Sequence, residues 1–327
     1  MIIYTHVTGC YVFDERGVLK EKREFSPDEA LNYSHPLEEG EWLDIEKNLI
    51  RKYPGSFFLG SKKAKLADCR TTLDCRKIEL ISQVLDFART KEFNTIITKS
   101  RVRDSVHNDS LIIQTISQID ELNKASNMLA KRLREWYELY NPEFSKSIYS
   151  HEKFVAIIIE KQKPELLAEI GVKQELSMGA DLDKQDVAPI IELAKHLKEL
   201  YSLKEEQAKY LERIMQKTCP NVQAVTGTML GAKLLSLAGS LVQLAELPSS
   251  TIQLLGAEKA LFRHIRSGSK APKHGILVEH PLVMEAKNKG KAARMMANKI
   301  GIAAKVDLYK GEFIGDKLKA DLEKKLK

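Results

Sequence analysis

Two long stretches of the chain repeat apolar or small residues every three or four positions. This spacing is typical of a helix that buries one narrow face along its whole length. The first stretch has Ile112, Ile116, Ile119, Asn123, Ser126, Ala130, Leu133, Tyr137 and Tyr140, and the second has Val187, Ile190, Ala194, Leu197, Tyr201, Lys204, Ala208, Leu211 and Met215. At about 1.5 Å per residue, each helix would extend about 45 Å. The sequence therefore predicts two long helices.

The segment between these helices contains residues that interrupt helical structure. They are Asn141, Pro142, Pro164, Gly171 and Gly179. Because Pro and Gly end or break helices, the chain must turn before the second long helix begins. We therefore expect residues 111–220 to form an antiparallel coiled-coil hairpin that is joined by shorter helices.

The middle of each predicted seam is polar or small, at Asn123 and Ser126 in one helix and at Lys204 and Ala208 in the other. Such positions can fix the register of a coiled coil or admit a second hairpin. We therefore expect the chain to form a homodimer through the coiled coil. The alternative is a self-contained hairpin that packs on its own chain.

The flanking segments have different patterns. Ile2 to Val7 and Cys10 to Phe13 alternate around Thr8-Gly9 as in a β-hairpin, and a helical stretch from Ile78 to Ala88 precedes the strand-like Asn94 to Thr98. Residues 1–110 are thus expected to form a small α/β domain. After the Cys219-Pro220-Asn221 break, residues 221–327 are expected to be all helical, with Leu230, Leu234, Leu237, Leu241 and Leu244 on one apolar face. The fold class is mainly α.

The positive charge of the chain is concentrated at the carboxyl end. Residues 221–327 contain 18 Lys and Arg against 9 Asp and Glu, whereas residues 1–220 contain 34 against 36. Nucleic-acid binding depends strongly on cations that neutralise phosphates. The segregation favours a polyanion partner for the last third, although a merely basic surface is the plain alternative.

The sequence from Gly256 to Gly275 concentrates this charge. Lys259, Arg263 and Arg266 are spaced to share one helical face, and Lys270, Lys273 and His274 follow in a loop rich in Gly and Pro. We expect the helix to contact phosphates and Phe262 or His274 to stack on a base, with Phe262 in the core as the alternative. The helix is expected to be anchored in a core by Leu254, Leu261 and Ile265.

Motifs for catalysis, metals and cofactors are weak or missing. The segment VTGTMLGAK (Val225 to Lys233) superficially resembles a phosphate loop but lacks its spacing, and G-x-S-x-G and H-E-x-x-H motifs do not occur. His264, His274 and His280 are irregularly spaced, and the four cysteines include no C-x-x-C pair. We expect no catalytic residue, no metal site and no cofactor in this chain, which would not itself be an enzyme.

The amino-terminal sequence lacks the features of a signal peptide, and it alternates like a strand. The longest candidate membrane span, Leu230 to Leu247, is interrupted by Lys233, Gln243 and Glu246. The sequence therefore predicts a cytoplasmic protein without a membrane segment.

Several long stretches resemble the Nop domain and its flanking coiled coil. They read GAKLLSLAGSLVQLAELPSSTIQLLGAEKALFRHI, PKHGILVEHPLV and KGKAARMMANKIGIAAKVDLY in the last third, with RDSVHNDSLIIQTISQIDELNKASNMLAKRLREWYELYNPEF and SMGADLDKQD upstream. The resemblance covers about residues 70–327. The compact length, and an end at EKKLK without a long lysine-rich tail, resemble the archaeal form of the Nop family.

The resemblance implies a scaffold of the box C/D RNA-guided methylation particle. Residues 1–110 would bind a fibrillarin-type methyltransferase, residues 111–220 would pair two copies, and residues 221–327 would dock on guide RNA together with a small kink-turn-binding protein. Apart from the resemblance, exposed apolar residues near Phe57 and Phe58 are possible methyltransferase contacts. The RNA-facing candidates that it implies are Lys233, Glu258, Lys259, Arg263, Arg266, Lys270, Lys273 and His274. The alternatives are a spliceosomal-type Nop-domain module without a methyltransferase partner and an intrinsic RNA-modifying enzyme.

Overall fold

The structure, a computed structural model, describes residues 1–60, 62, 69–72, 81, 82 and 84–326. The chain divides into two compact units, Met1–Val106 and His107–Lys327. Elements are numbered along the described residues. The fold is mainly helical, with a small sheet in the first unit, as the sequence predicts. The division into segments that end at residues 110 and 220 stays a prediction.

The first unit is built on a five-stranded sheet. The strands are β1 (Ile2–His6), β2 (Gly9–Phe13), β3 (Leu19–Glu24), β4 (Phe57–Leu59) and β5 (Arg70–Thr72), in the order β3-β2-β1-β4-β5. The predicted hairpin is confirmed, since β1 pairs antiparallel with β2, and β1 pairs parallel with β4. The described helices are α1 (Pro27–Glu38), α2 (Asp44–Lys52) and α3 (Phe87–Asp104).

The larger core of the first unit lies on the face of the sheet that presents Ile3, Cys10 and Val12, and a smaller cluster with Ile2, Tyr11 and Phe13 lies on the other face. Phe58 belongs to the larger core and is 4% exposed, so it is not the exposed apolar residue that the sequence suggested. Its ring packs edge-on against the Trp42 ring, with the centroids 5.0 Å apart. Because Phe57 precedes it on the same strand and points to the other face, Phe57 is 38% exposed and stays a candidate contact.

The predicted strand from Asn94 to Thr98 is wrong, because these residues lie within α3. The run Thr95, Ile96, Ile97 favours a strand by composition. However, Phe93 and Ile97 are four residues apart and both are buried, and Asp86 caps the helix by accepting from the backbone N–H groups of Ala88 and Arg89. Burial of that helical face outweighs the weak strand propensity. The predicted helix from Ile78 to Ala88 lies partly outside the described residues.

The second unit contains both predicted long helices, α4 (Asn108–Tyr137) and α8 (Lys184–Thr218). The helices are antiparallel, as their two apolar clusters show. Ile112, Ile116 and Ile119 near the start of α4 share a cluster with Leu211 and Met215 near the end of α8. Ala130, Leu133 and Tyr137 near the end of α4 share another with Ile190, Ala194 and Leu197 near the start of α8.

Between the long helices, the chain turns through α5 (Pro142–Ser147), α6 (His151–Glu160), α7 (Lys163–Glu169) and a short 3-10 turn (Gln174–Leu176). Arg134 of α4 fastens this turn to the long helix. Its guanidinium donates to the carbonyls of Ser145 and Ile148 at 2.6 and 2.7 Å, and it lies 4.3 Å from the Phe154 ring. The turn predicted from Pro142 and the glycines is therefore confirmed, and it is held by specific polar contacts.

In the last part of the second unit, the regular elements of the described residues are all helices or 3-10 turns. Its elements are α9 (Pro220–Thr226), α10 (Thr228–Ala238), α11 (Leu241–Glu246), α12 (Ser249–Leu254), α13 (Glu258–Ser267), a 3-10 turn (Ile276–Glu279), α14 (Pro281–Met284), α15 (Lys289–Leu308) and α16 (Gly315–Leu326). The core surrounds α15, whose Ala292, Met296, Ile300 and Ala303 are fully buried. Leu237 is 44% exposed, so the predicted apolar face of leucines is interrupted there.

Within the described part of the chain, the helices are too short or too polar to cross a membrane.

Candidate nucleic-acid interface

Helix α13 displays three cations on one side. Lys259, Arg263 and Arg266, called the basic ridge below, are all exposed, and none of them forms an ion pair with a described residue. The helix lies between two glycines in the left-handed region, Gly256 with φ of 83° and Gly268 with φ of 65°. These glycines let the chain turn sharply at both ends of α13, since other residues rarely adopt such angles. The sequence placed the ridge on one helical face, and the structure confirms it.

The apolar side of α13 is not anchored in a core, which corrects the sequence prediction. Ile265 is 71% exposed, Leu261 is only partly buried, and Leu254 belongs to the preceding helix α12. Phe262 is also 71% exposed, so the alternative that placed it in the core is wrong. No residue of α13 is buried. The helix therefore exposes both its cations and its apolar side chains to solvent.

The basic loop, residues 268–275, carries Lys270, Lys273 and His274, of which the two lysines are exposed. Its carboxyl end is tied to the module. The N–H of Gly275 donates to the carbonyl of Gln253 at 2.8 Å, and the Gln253 side chain donates to the carbonyl of Lys273. A Cβ atom at Gly275 would lie 1.8 Å from the Leu255 carbonyl oxygen, so only glycine fits there.

The remaining two candidates have intramolecular partners. Glu258 begins α13 and accepts from the N–H of Gly256 at 2.7 Å, which suits a carboxylate at a helix N-terminus. Lys233 lies on α10 and forms an ion pair with Glu279 at 3.0 Å. The structure thus groups Lys259, Arg263 and Arg266 on a helix and Lys270, Lys273 and His274 on the next loop. It places Lys233 on a separate element.

Two further cations, Lys291 and Arg294, were missed in the sequence. They lie on the first turns of α15, and with Lys273 they line a pocket of about 490 Å³. The signal that could have found them is the segment KGKAAR, which follows the helix-capping Asn288 and places three cations within six residues at the start of a helix. The pocket lies between the basic loop and the amino terminus of α15.

Beside Glu279, His280 uses its neutral ring as a helix cap. Its Nδ1 accepts from the N–H of Leu282 at 3.2 Å, so protonation of that nitrogen would remove the acceptor. Burial lowers the pKa of His280, and nearby Lys319 lowers it further while Glu323 opposes this. A lowered pKa in the folded state means that stability is present above the ordinary value of 6.5 and is lost as the pH falls.

We therefore predict that lowering the pH from 7.5 to 5.5 reduces the free energy of unfolding of the chain. The reduction should be about 1 kcal/mol larger than the reduction for the variant His280→Asn. Asparagine keeps an acceptor for the Leu282 N–H but does not titrate. Thermal midpoints of both proteins at the two pH values measure the difference. Parallel pH dependence of the two proteins would contradict the role of His280.

Comparison with known proteins agrees with the resemblance that the sequence suggested. The family model described as "Nop: snoRNA binding domain, fibrillarin" matches residues 118–327. An uncharacterized NOP5 family protein of Methanocaldococcus jannaschii is 39% identical over 251 residues, which are 72% of this chain and 60% of the relative. Nucleolar protein 56 of Dictyostelium discoideum is 37% identical over 65% of this chain and 43% of its own length. The chain thus spans between about two fifths and three fifths of the length of these relatives.

Among solved structures, a fibrillarin/Nop5p complex aligns with 99% of this chain and 98% of the matched chain, at a TM-score of 0.44 and 19% identity. The description of the matched family model names a snoRNA-binding domain. Because that model covers residues 118–327 and the Methanocaldococcus relative is 39% identical over 72% of the chain, this chain belongs to the Nop family.

Proposed function

We propose that this chain is the scaffold of a box C/D small ribonucleoprotein. Its carboxyl-terminal module docks on guide RNA and a small kink-turn-binding protein, and its first unit holds a fibrillarin-type methyltransferase that modifies ribose 2′-hydroxyls of rRNA or tRNA. The observation that carries the proposal is α13, which displays cations that pair with no described residue, together with exposed apolar side chains, and which buries none of its own residues. It lies within the segment that matches a snoRNA-binding family model.

The arrangement of α13 suits a surface made jointly by RNA and protein. The basic ridge occupies one side of the helix, and Phe262 and Ile265 occupy the adjoining side. Phosphates attract the cations, whereas exposed apolar side chains gain most from another protein surface or from the face of an unstacked base. A partner that offers both chemistries, such as a protein bound to a kinked RNA, therefore fits α13 better than RNA alone.

The long helices supply the proposed dimer contact. Their apolar seam is divided into two clusters, and between them lies Ser126, which is 2% exposed and whose hydroxyl has no hydrogen-bond partner in the described part of the chain. On the outer surface of α4, Met128 is 68% exposed and Trp136 is 39% exposed. Large exposed apolar side chains are frequent in interfaces between subunits. Sedimentation of the full chain as a monomer would exclude this contact.

Reconstitution tests the whole proposal. A kink-turn RNA, its small binding protein, the methyltransferase and this chain are mixed with a target RNA, and methyl transfer to the guided ribose is measured. Transfer is expected only in the complete mixture. A control without this chain should be inactive, and transfer by the purified chain without the methyltransferase would show that it is itself an enzyme.

The spliceosomal-type alternative makes a different prediction for one step of this experiment. Such a module would still bind the kink-turn RNA with its small protein, but it would not retain the methyltransferase. A pulldown of the methyltransferase with the full chain therefore separates the two functions.

The basic ridge gives a more local prediction. The double variant Lys259→Ala with Arg263→Ala should weaken binding to the RNA–protein complex about tenfold and reduce the slope of log K against log salt by about 1.8, since each phosphate contact accounts for about 0.9. Fluorescence titration between 50 and 200 mM salt measures both quantities. Unchanged affinity and slope would show that the ridge does not face RNA.

A further inference from the structure

The first unit contains a crevice of its own, beyond the carboxyl ends of β1 and β4. These strands are parallel neighbours in the sheet, and Val7 and Gly60, which follow them, line the crevice. From β1 the chain continues to β2 on the other side, so the connections diverge at this point. In open sheets with parallel strands, ligands bind in the crevice that such a divergence leaves. The volume of about 430 Å³ lies within the range of about 300 to 1,000 Å³ that is usual for ligand pockets.

Part of the lining is apolar and belongs to packed elements. Phe58 of β4 and Ile97 of α3 are 4% and 6% exposed, and Leu37 of α1 also lines the crevice. Gly60 has φ of 140°, and a Cβ atom there would lie 3.0 Å from Cε1 of Phe58, so glycine lets the chain pass close to this ring. Because helices and strand ends hold these side chains, the apolar surface is preformed and suits the apolar body of a ligand.

Two cations complete the lining, and each already has one carboxylate partner. Lys62 donates to Glu46 at 2.8 Å, and Arg101 donates through Nη1 to Glu38 at 2.8 Å. The Arg101 side chain is 45% exposed, and its Nε and Nη2 groups have no acceptor among the described residues. Since two parallel N–H groups of a guanidinium match the two oxygens of a carboxylate, Arg101 can hold such a group from a ligand.

The charges and polar groups narrow the class of ligand. Glu38 is the only carboxylate among the described lining residues. Because Lys62 and Arg101 each offset one carboxylate, the crevice has no large positive excess that would attract a polyanion. Asn94 and Thr98 precede Arg101 by seven and three residues, so they lie on the same side of α3 and add an amide and a hydroxyl group. A singly charged head on an apolar body matches both parts of the lining.

We propose that this crevice binds a small organic monocarboxylate with an apolar body. Its carboxylate contacts Arg101, and its apolar body packs against Phe58 and Ile97. The inference goes beyond the proposed function, because it assigns a small-molecule site to a unit for which only a protein partner is proposed. It does not depend on RNA binding, so the two can fail separately.

The first test is isothermal titration of the full chain with phenylacetate, 3-methylbutanoate and hexanoate, whose apolar bodies are aromatic, branched and linear. At least one of them should bind saturably with a dissociation constant below about 1 mM. The corresponding amide, which has the same shape without the charge, should bind about tenfold more weakly. Absence of saturable binding by all three acids, or equal binding of an acid and its amide, would overturn the proposal.

The second test locates the bound acid with matched variants on α3. Arg101→Gln should weaken binding about tenfold, whereas Arg103→Gln, which changes a cation of the same helix outside the crevice, should leave it unchanged. Thr98→Tyr should fill the crevice and abolish binding, whereas Thr95→Tyr should not. All four positions are exposed, and circular dichroism verifies that each variant is folded. Equal weakening by the two arginine variants, or unchanged binding by Thr98→Tyr, would overturn the proposal.

Discussion

The variant Glu46→Ala is expected to lower the free energy of unfolding by about 3 to 5 kcal/mol, because it leaves a buried ammonium group without its counterion. The side chains of Glu46 and Lys62 are 0% and 2% exposed, and their charged atoms are 2.8 Å apart. Lys62 also lies 5.1 Å from the centre of the Trp42 ring and 4.8 Å from that of Phe58. Neither charge is near bulk water, so solvent cannot compensate for the loss of the other.

Glu46 has a second role that alanine also removes. Its Oε2 accepts from the backbone N–H of Leu43 at 2.9 Å, which ties the residue before α2 to the first turn of that helix. Urea unfolding followed by fluorescence measures the loss, since Trp42 is adjacent to the ion pair. The control Glu46→Leu with Lys62→Met replaces both charges by apolar groups and should recover much of the stability, because no unpaired charge remains. A loss below about 1 kcal/mol for Glu46→Ala would contradict the argument.

The sequence could predict those elements whose pattern is long and repeated. The α4 and α8 seams extend over many helical turns, so their periodicity is unambiguous, and the Thr8-Gly9 turn marks the β1-β2 hairpin directly. The short segment Asn94 to Thr98 was misassigned because its composition favours a strand. Phe93 and Ile97 share one buried face of α3, and their burial depends on how the helix packs, which the short segment does not reveal.

The candidate interface shows the same limit. Spacing alone placed the cations of α13 on one face, but it could not show whether the apolar face is covered by the chain itself. In the structure Phe262 and Ile265 are exposed, so the apolar face that was predicted to anchor α13 in a core lies on the surface of the protein. The pocket at Lys291 and Arg294 was missed for a related reason. It forms only when the loop that carries Lys273 returns to α15, and that approach depends on the buried Gln253.

The same dependence on tertiary contacts makes Asp307 a sensitive position, and we expect Asp307→Ala to lower the free energy of unfolding by about 3 kcal/mol. Asp307 is 8% exposed near the carboxyl end of α15. Its carboxylate accepts three hydrogen bonds from the start of α9. The backbone N–H and the side-chain amide of Asn221 donate at 3.1 and 2.7 Å, and the N–H of Val222 donates at 2.9 Å.

The network continues to the last helix, because the side-chain oxygen of Asn221 accepts from the N–H of Ile314 at 2.7 Å. Alanine at position 307 would leave three donors without a partner in a region where Asn221 is 1% exposed, and unmade bonds of buried donors are costly. Burial raises the pKa of Asp307 while the three N–H donors oppose the rise. A neutral acceptor should therefore replace part of its role.

The control Asp307→Asn keeps one carbonyl oxygen for these donors and avoids the cost of a buried charge, so its loss should be clearly smaller than that of alanine. Thermal unfolding of the three proteins measures the order of stability. Since α15 also carries Lys291 and Arg294 at its opposite end, the alanine variant should bind the RNA–protein complex normally below its own unfolding midpoint if the helix remains in place. Equal stability of the alanine variant and the unmodified chain would show that water replaces the carboxylate at the start of α9.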